Sequence, residues 1–363
     1  AYADIVDLFL AEKGITDYQP DHIAQLDPRN GEQVLFNTSR ADRPHDNAPN
    51  STPHAENTAG VADCIICSGT TTGIVDLAQL SEGHTFINKN LFPVVFPVKS
   101  PTNQDSINNF SAQVPARGKD AFGLHFLQWT STIHKQDWHN MPAGDLLLVM
   151  KRLAVLEHKM LTSSQGVMPD LAQFGDTQGR NGFVSIIKNS GSPVGGSIEH
   201  GHQQIVFSNN MPRRTRENLR FKMDREVSFS EFMLEENPDQ YLIRDYKHAA
   251  LLVPYYMRRP FDMLLLVKDT AKGYLHEMSS DQLGSITAGW QDGIKLLREI
   301  LPLRRRAIAY NVLTHNGPGA GLYFEFYPYT QEEGGFEKLG LSFCQSNPGK
   351  ASDLLKRVMD EQF

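Results

Sequence analysis

The stretch that decides the fold is Gly195-Gly196-Ser197-Ile198-Glu199-His200-Gly201-His202-Gln203-Gln204-Ile205. A glycine turn leads here into a run, Ile198 to Phe207, that reads as a strand. Strand side chains alternate between faces, so the spacing predicts His200, His202 and Gln204 on one side, directly after the turn. A solvated edge strand would account for any one of these residues. The three together, behind Gly-Gly-Ser, point instead to a ligand. Glycines let backbone N–H groups approach a phosphate closely, and Ser197 adds a hydroxyl donor. An imidazole beyond such a cradle stands where it can attack phosphorus.

Outward from this stretch, the chain repeats itself. Strand-like Phe92–Val98 and Leu124–Trp129 come first, then Asp145–Leu161, whose Leu148, Met150, Leu153, Val155, Leu156 and Met160 recur at helical spacing. Gly182–Lys188 then leads into the turn. In the second half, Met263–Val267, the predicted helix Ser280–Ile300 and Ala307–Leu313 lead into His315-Asn316-Gly317-Pro318-Gly319-Ala320-Gly321 and the strand Tyr323–Tyr327. The helix lead-ins also echo one another, His139-Asn140-Met141-Pro142 against His276-Glu277-Met278-Ser279. Two similar halves are expected, residues 1–212 and 213–363, sharing one body because no Gly/Ser-rich linker separates them. The first half opens with an amphipathic helix near the start, a short extended segment Glu32–Phe36 and a polar loop from Ala41 to Gly60.

Composition bounds the function. With 363 residues, 35 Lys+Arg and 42 Asp+Glu, the net charge is −7. An acidic chain without a concentrated basic face is not expected to bind nucleic acid. No run approaches the ~20 apolar residues that span a bilayer, so no membrane partner is expected either. The first residues lack a basic leader, and three cysteines cannot form a disulfide framework; both favour a reducing, cytoplasmic setting. Cys64 and Cys67 have zinc-ligand spacing, which redox and accidental pairs also share. Arg213, Arg214, Arg216 and Arg304 to Arg306 read as solvated charge. Trp129, Trp138 and Trp290 read as packing, and Cys344 as a buried thiol. His22, His45, His54, His84, His125, His158 and His248 take no role.

The run Asn189–Ile205 resembles the active-site signature of the galactose-1-phosphate uridylyltransferases, the transferase branch of the histidine-triad superfamily. The resemblance extends to Leu26-Asp27-Pro28-Arg29-Asn30-Gly31, to Ser39-Arg40-Ala41-Asp42-Arg43-Pro44, to Cys64-Ile65-Ile66-Cys67, to Asn90 and Phe92, and to Phe326-Tyr327-Pro328. In order, it covers about residues 26–345. It implies an α+β fold of two histidine-triad-like halves, each an antiparallel sheet with packed helices. It also implies a homodimer whose sites borrow residues across the interface.

For the chemistry, the resemblance implies ping-pong transfer of a nucleoside monophosphate between a nucleotide sugar and a sugar 1-phosphate. His202 would be the covalent nucleophile and Gln204 a donor to a phosphate oxygen. Histidine-triad hydrolases typically carry a third His at the position of Gln204, and Gln cannot shuttle protons. Its presence favours transfer to another phosphate over hydrolysis. Arg40, Arg43, Asn90, Asn189, Gly195, Gly196, Ser197, Lys338 and Gln345 would hold the substrates. Cys64, Cys67, His134 and His200 would form one closed structural zinc site per chain, with His139 the rival third ligand. The second metal site of some relatives loses its His-x-His here to Tyr323 and Glu325, although His315 survives nearby. Gly201 and Gln203 replace the commoner Pro and Gly of the signature, so galactose does not follow as the sugar. Inorganic phosphate as acceptor, with an ADP-sugar or dinucleoside polyphosphate as donor, is the alternative. A noncatalytic, zinc-stabilised nucleotide-binding protein is the third.

Overall fold

The computed structural model describes residues 1–20, 22–26, 33–35, 64–77, 85–98 and 119–363. Among the described residues the strands are β1 (Ile23–Leu26), β2 (Gln33–Leu35), β3 (Ile74–Leu77), β4 (Phe86–Lys89), β5 (Lys119–Asp120), β6 (Gly123–Trp129), β7 (Phe183–Ser190), β8 (His202–Ser208), β9 (Leu242–Asp245), β10 (Ala249–Leu252), β11 (Met263–Val267), β12 (Tyr310–His315) and β13 (Tyr323–Pro328). β1, β2 and β5 form a small separate sheet. The other ten build one sheet in the order β3-β4-β6-β8-β7-β12-β13-β11-β10-β9, antiparallel throughout. Read outward from the central β7–β12 pair, both halves have the same connectivity. The two expected sheets are therefore joined edge to edge, which pairs the backbone groups that two separate edges would leave open.

Helices Ala143–Ser163 and Ser280–Leu303 occupy corresponding places, after β6 and after β11. The second begins where Ser279 and Gln282 cap each other: the Gln282 N–H donates to Ser279 Oγ at 3.2 Å and the Ser279 N–H to Gln282 Oε1 at 2.9 Å. The two helices share one core with the sheet, including Val149, Leu153, Trp290, Ile294, Phe324 and Phe326. Trp138 stacks on Trp290 with ring centroids 5.0 Å apart. Each fully buried Phe of such a core contributes about 1.5–3 kcal/mol. No described helix is long and apolar enough to cross a membrane.

One expected strand is absent. Phe92–Val98 runs irregularly, apart from a single bridge between Phe96 and Phe122. Pro93 and Pro97 have no N–H to offer a ladder. Two of the remaining donors go to side chains, Phe92 N–H to Asn90 Oδ1 and Val94 N–H to His125 Nδ1. The strand after the glycine turn is also shorter than its pattern, starting at His202 rather than Ile198.

Candidate active site and metal centre

Cys64, Cys67, His134 and His200 converge, with one ligand atom from each lying within 4.8 Å of the others. Cys67 Sγ lies 3.5 Å from His134 Nδ1, and both sulfurs lie 3.7 Å from His200 Nδ1. A tetrahedral ion bonded at ~2.3 Å to sulfur and ~2.0 Å to nitrogen sets S and N about 3.5 Å apart, so these spacings fit one metal ion. The outer contacts agree. His200 Nε2 donates to the carbonyl of Ser131 at 2.8 Å, which leaves the Nδ1 lone pair for the metal. Desolvation and the neighbouring Cys64 push the Cys67 thiol up, so a cation would be what holds that sulfur as a thiolate. His139 lies outside this group; burial lowers its imidazole to about 4.

His200 stands in the bend before β8, so strand alternation governs only His202 and Gln204. The chain comes tightly past Asp137 here, and a Cβ at Gly201 would lie 2.5 Å from the Asp137 carboxyl carbon. Asp137 in turn pairs with the buried Lys188 at 2.7 Å, and Lys188 Nζ reaches the His202 carbonyl at 3.4 Å. The ion pair thus anchors the backbone behind His202.

His202 and Gln204 line a cavity of about 210 Å³ together with Ser197, Asn90, Leu127 and Trp129. The His202 imidazole is buried, and Nδ1 lies 2.8 Å from the carbonyl oxygen of His200. A carbonyl only accepts, so Nδ1 carries the proton and Nε2 keeps its lone pair. Burial pushes this imidazole down to about 4, which keeps it neutral at pH 7. A neutral, oriented imidazole in a cavity is equipped for nucleophilic attack.

Asn189 and the turn flank the cavity without lining it. Asn189 Nδ2 faces Gly195 across 4.0 Å from that residue's ideal Cβ position. Gly195 itself has φ +86°, a conformation suited to glycine. Lys338 and Gln345 are exposed and do not line the cavity. Arg40 and Arg43 lie outside the described residues.

Several residues of the site carried no sequence signal. Asn311, on β12, donates from Nδ2 to Asn189 Oδ1 at 2.7 Å and to the Val194 carbonyl at 3.1 Å, tying the second half to the glycine turn. Trp129 is a cavity wall as well as packing, 4.9 Å from the His202 ring between centroids. Glu12 and Lys13 bring the N-terminal segment to the same cavity, where Glu12 pairs with Lys89.

The second half closes the corresponding face. Glu325 and Tyr327 of β13 line a cavity of only about 10 Å³, room for one water at most. Burial alone would raise the Glu325 carboxyl, but His315, 2.6 Å away, holds it down at about 2. Phe229 packs on Tyr323 from the covering helix Phe229–Glu236. Among the described residues the only metal-ligand cluster is that of Cys64, Cys67, His134 and His200.

No protein-family model matches the chain. Over 353 residues it is 21% identical to the ADP-glucose phosphorylase of Arabidopsis thaliana, covering 92% of this chain and 91% of the relative. Its fold is that of a solved uridylyltransferase, with TM-score 0.68 at 17% identity over 93% of this chain and 99% of that one. An Arabidopsis thaliana ADP-glucose phosphorylase solved with bound ADP-glucose superposes with TM-score 0.62 at 15% identity, over 92% and 98% of the two chains.

Proposed function

We infer that this chain, whose fold is that of the galactose-1-phosphate uridylyltransferase-like proteins, is a nucleotidyltransferase. It moves a nucleoside monophosphate from a nucleotide sugar to a sugar 1-phosphate through a covalent adduct on His202. The observation that carries this reading is the buried, neutral His202 with Nδ1 engaged, beside Gln204 and Ser197 in one cavity. In the first step Nε2 attacks the α-phosphorus. A P–N bond forms, the P–O bond to the leaving group breaks, and the sugar 1-phosphate departs with that electron pair. The imidazole gains positive charge, which the Nδ1–H bond to the His200 carbonyl stabilises. In the second step a phosphate oxygen of the acceptor attacks the same phosphorus, and the P–N electron pair returns to Nε2. Gly195 and Gly196, whose own N–H groups go to the carbonyls of Ser192 and Gly191, shape the turn, and Gln204, Ser197, Asn90 and Asn189 are the donors for the phosphates. Arg40 and Arg43 are assigned to the same task.

The ion of this reading is zinc, one per chain, because two thiolates and two imidazoles form its closed structural set. When bound, it pins the segment before β8 to the Cys64–Cys67 loop, with no coordination position left for substrate. Residues 1–212 carry the reacting face, and residues 213–363 form the degenerate repeat that completes the site through Asn311. Phe336, Leu339, Leu341 and Phe343 are exposed in the same chain segment as Lys338 and Gln345. A second copy covering them makes a homodimer and brings both polar residues to a partner's substrate.

A second reading has inorganic phosphate as acceptor and an ADP-sugar as donor, favoured by the likeness to ADP-glucose phosphorylase. One experiment separates the two. UDP- and ADP-sugars labelled at the α-phosphate are expected to give a base-stable, acid-labile protein adduct that His202→Ala does not form. Chasing the adduct with sugar 1-phosphate or with phosphate then yields a nucleotide sugar or a nucleoside diphosphate. No adduct with any nucleotide, and tight binding alone, would return the chain to a nucleotide-binding role.

A further inference from the structure

The histidine at position 125 is fully buried on β6, one step diagonal from Gln204, since Leu127 is the residue directly opposite Gln204 in the β6–β8 register. Its Nδ1 lies 3.1 Å from the backbone N–H of Val94. A backbone N–H can only donate, so Nδ1 accepts and the ring proton sits on Nε2. That Nε2 lies 3.2 Å from Gln204 Oε1 and 3.2 Å from Asn90 Nδ2. The Asn90 orientation is set independently, because its Oδ1 accepts from Phe92 N–H at 2.9 Å.

We propose that His125 is a positioning residue: its Nε2–H holds the carbonyl end of Gln204, so that the amide NH₂ of Gln204 is the end presented to the cavity. An unrestrained glutamine amide can rotate and offer either end. A phosphate oxygen is an acceptor and is repelled by the carbonyl end, so half of the amide's orientations would oppose binding. With the His125 proton committed to Gln204, the Asn90 NH₂ at 3.2 Å is a second donor beside Nε2 and makes no hydrogen bond to it. Histidine suits this task because its two nitrogens sit on opposite edges of a rigid ring, one accepting from the Phe92–Val94 loop and the other donating to β8. The inference rests on the nucleotidyl-transfer reading above.

Two measurements test it. In wild-type protein, nitrogen–proton correlation spectra of the histidine rings are expected to show His125 as the Nε2–H tautomer; the Nδ1–H tautomer would overturn the proposal. In single-turnover adduct formation with α-labelled UDP-glucose and ADP-glucose, His125→Phe is expected to slow the step about 10- to 100-fold. His125→Gln, which keeps an amide donor, should recover part of that loss. His125→Phe in a Gln204→Ala background should cost nothing further, because the residue it orients is gone. Additive losses, or a His125→Phe rate equal to wild type, would refute the proposal. His125→Gln and the spectra retain the test if His125→Phe does not fold. Absence of any adduct in wild type removes the transfer reading, and the inference falls with it.

Discussion

The Nδ1 of His202 donates to the main-chain oxygen of His200 across 2.8 Å, while His200 turns its own Nδ1 toward Cys64 and Cys67. One peptide segment therefore links a metal-ligand set to the tautomer of the residue assigned as nucleophile. The arrangement predicts that metal binding and the orientation of the His202 ring are coupled through two residues of backbone.

That link predicts the chemistry of the adduct. With Nδ1 occupied, phosphorus is expected on Nε2 alone. Proteolysis under basic conditions, followed by nitrogen–phosphorus coupling measurements on the labelled peptide, identifies the nitrogen. Phosphorus on Nδ1 would contradict the hydrogen bond to His200.

Removing a metal ligand should act at two levels. Cys67→Ser is expected to bring bound metal well below one per chain and to lower the melting temperature. Cys64→Ser should destabilise more, because Cys64 is buried and Cys67 is exposed. Adduct formation should fall in step with metal content, since the His200 carbonyl is no longer held. Elemental analysis, melting curves and adduct yields on the same samples check this; full activity in metal-free protein would break the coupling.

Asn311 offers a test of the second half's contribution. Its Nδ2 holds Asn189 Oδ1, leaving the Asn189 amide hydrogens for an anion. Asn311→Ala is expected to slow adduct formation by up to about tenfold, in line with ~0.5–1.5 kcal/mol for a neutral hydrogen bond. Asn311→Asp should be worse than Asn311→Ala. Its carboxylate repels the Asn189 and Val194 oxygens and attracts the amide hydrogens away from the phosphate. Equal rates in the two variants would show that amide orientation is not what Asn311 supplies.

Away from the site, burial raises the Asp262 carboxyl to about 8 despite the nearby Arg259. The unfolded value is about 3.9, so the folded state binds the extra proton between these limits. The resulting stability is complete below about pH 4 and is lost as pH rises toward 8. Asp262→Asn cannot ionise. Its melting temperature is expected to exceed that of wild type at pH 8, by roughly 2–4 °C for each kcal/mol recovered, and the two should converge toward pH 4. A lower melting temperature for the variant at pH 8 would mean that the Arg259 contact outweighs burial.

Much of the fold was legible because its signals are local. Helical spacing in Asp145–Leu161 and the apolar run Met263–Val267 each carry their own period, and the structure has a helix at Ala143–Ser163 and a strand at Met263–Val267. The misread Phe92–Val98 is apolar enough for a strand, but its prolines and the Asn90 and His125 acceptors take its backbone elsewhere. Cys64 and Cys67 with His134 and His200 were readable from motif spacing and resemblance, and the four do converge.

By itself, the sequence determined the repeated elements, the Cys64-x-x-Cys67 pair and the His202-x-Gln204 face, because each depends on residue type and on spacing within one segment. Tertiary structure alone decided that the two half-sheets join at β7–β12 and that Asn311 reaches Asn189. It also decided that a histidine without a motif adjoins Gln204. Those relationships are set by strand register between segments far apart in the chain, and a period-two pattern says which face a side chain takes but not which partner lies opposite.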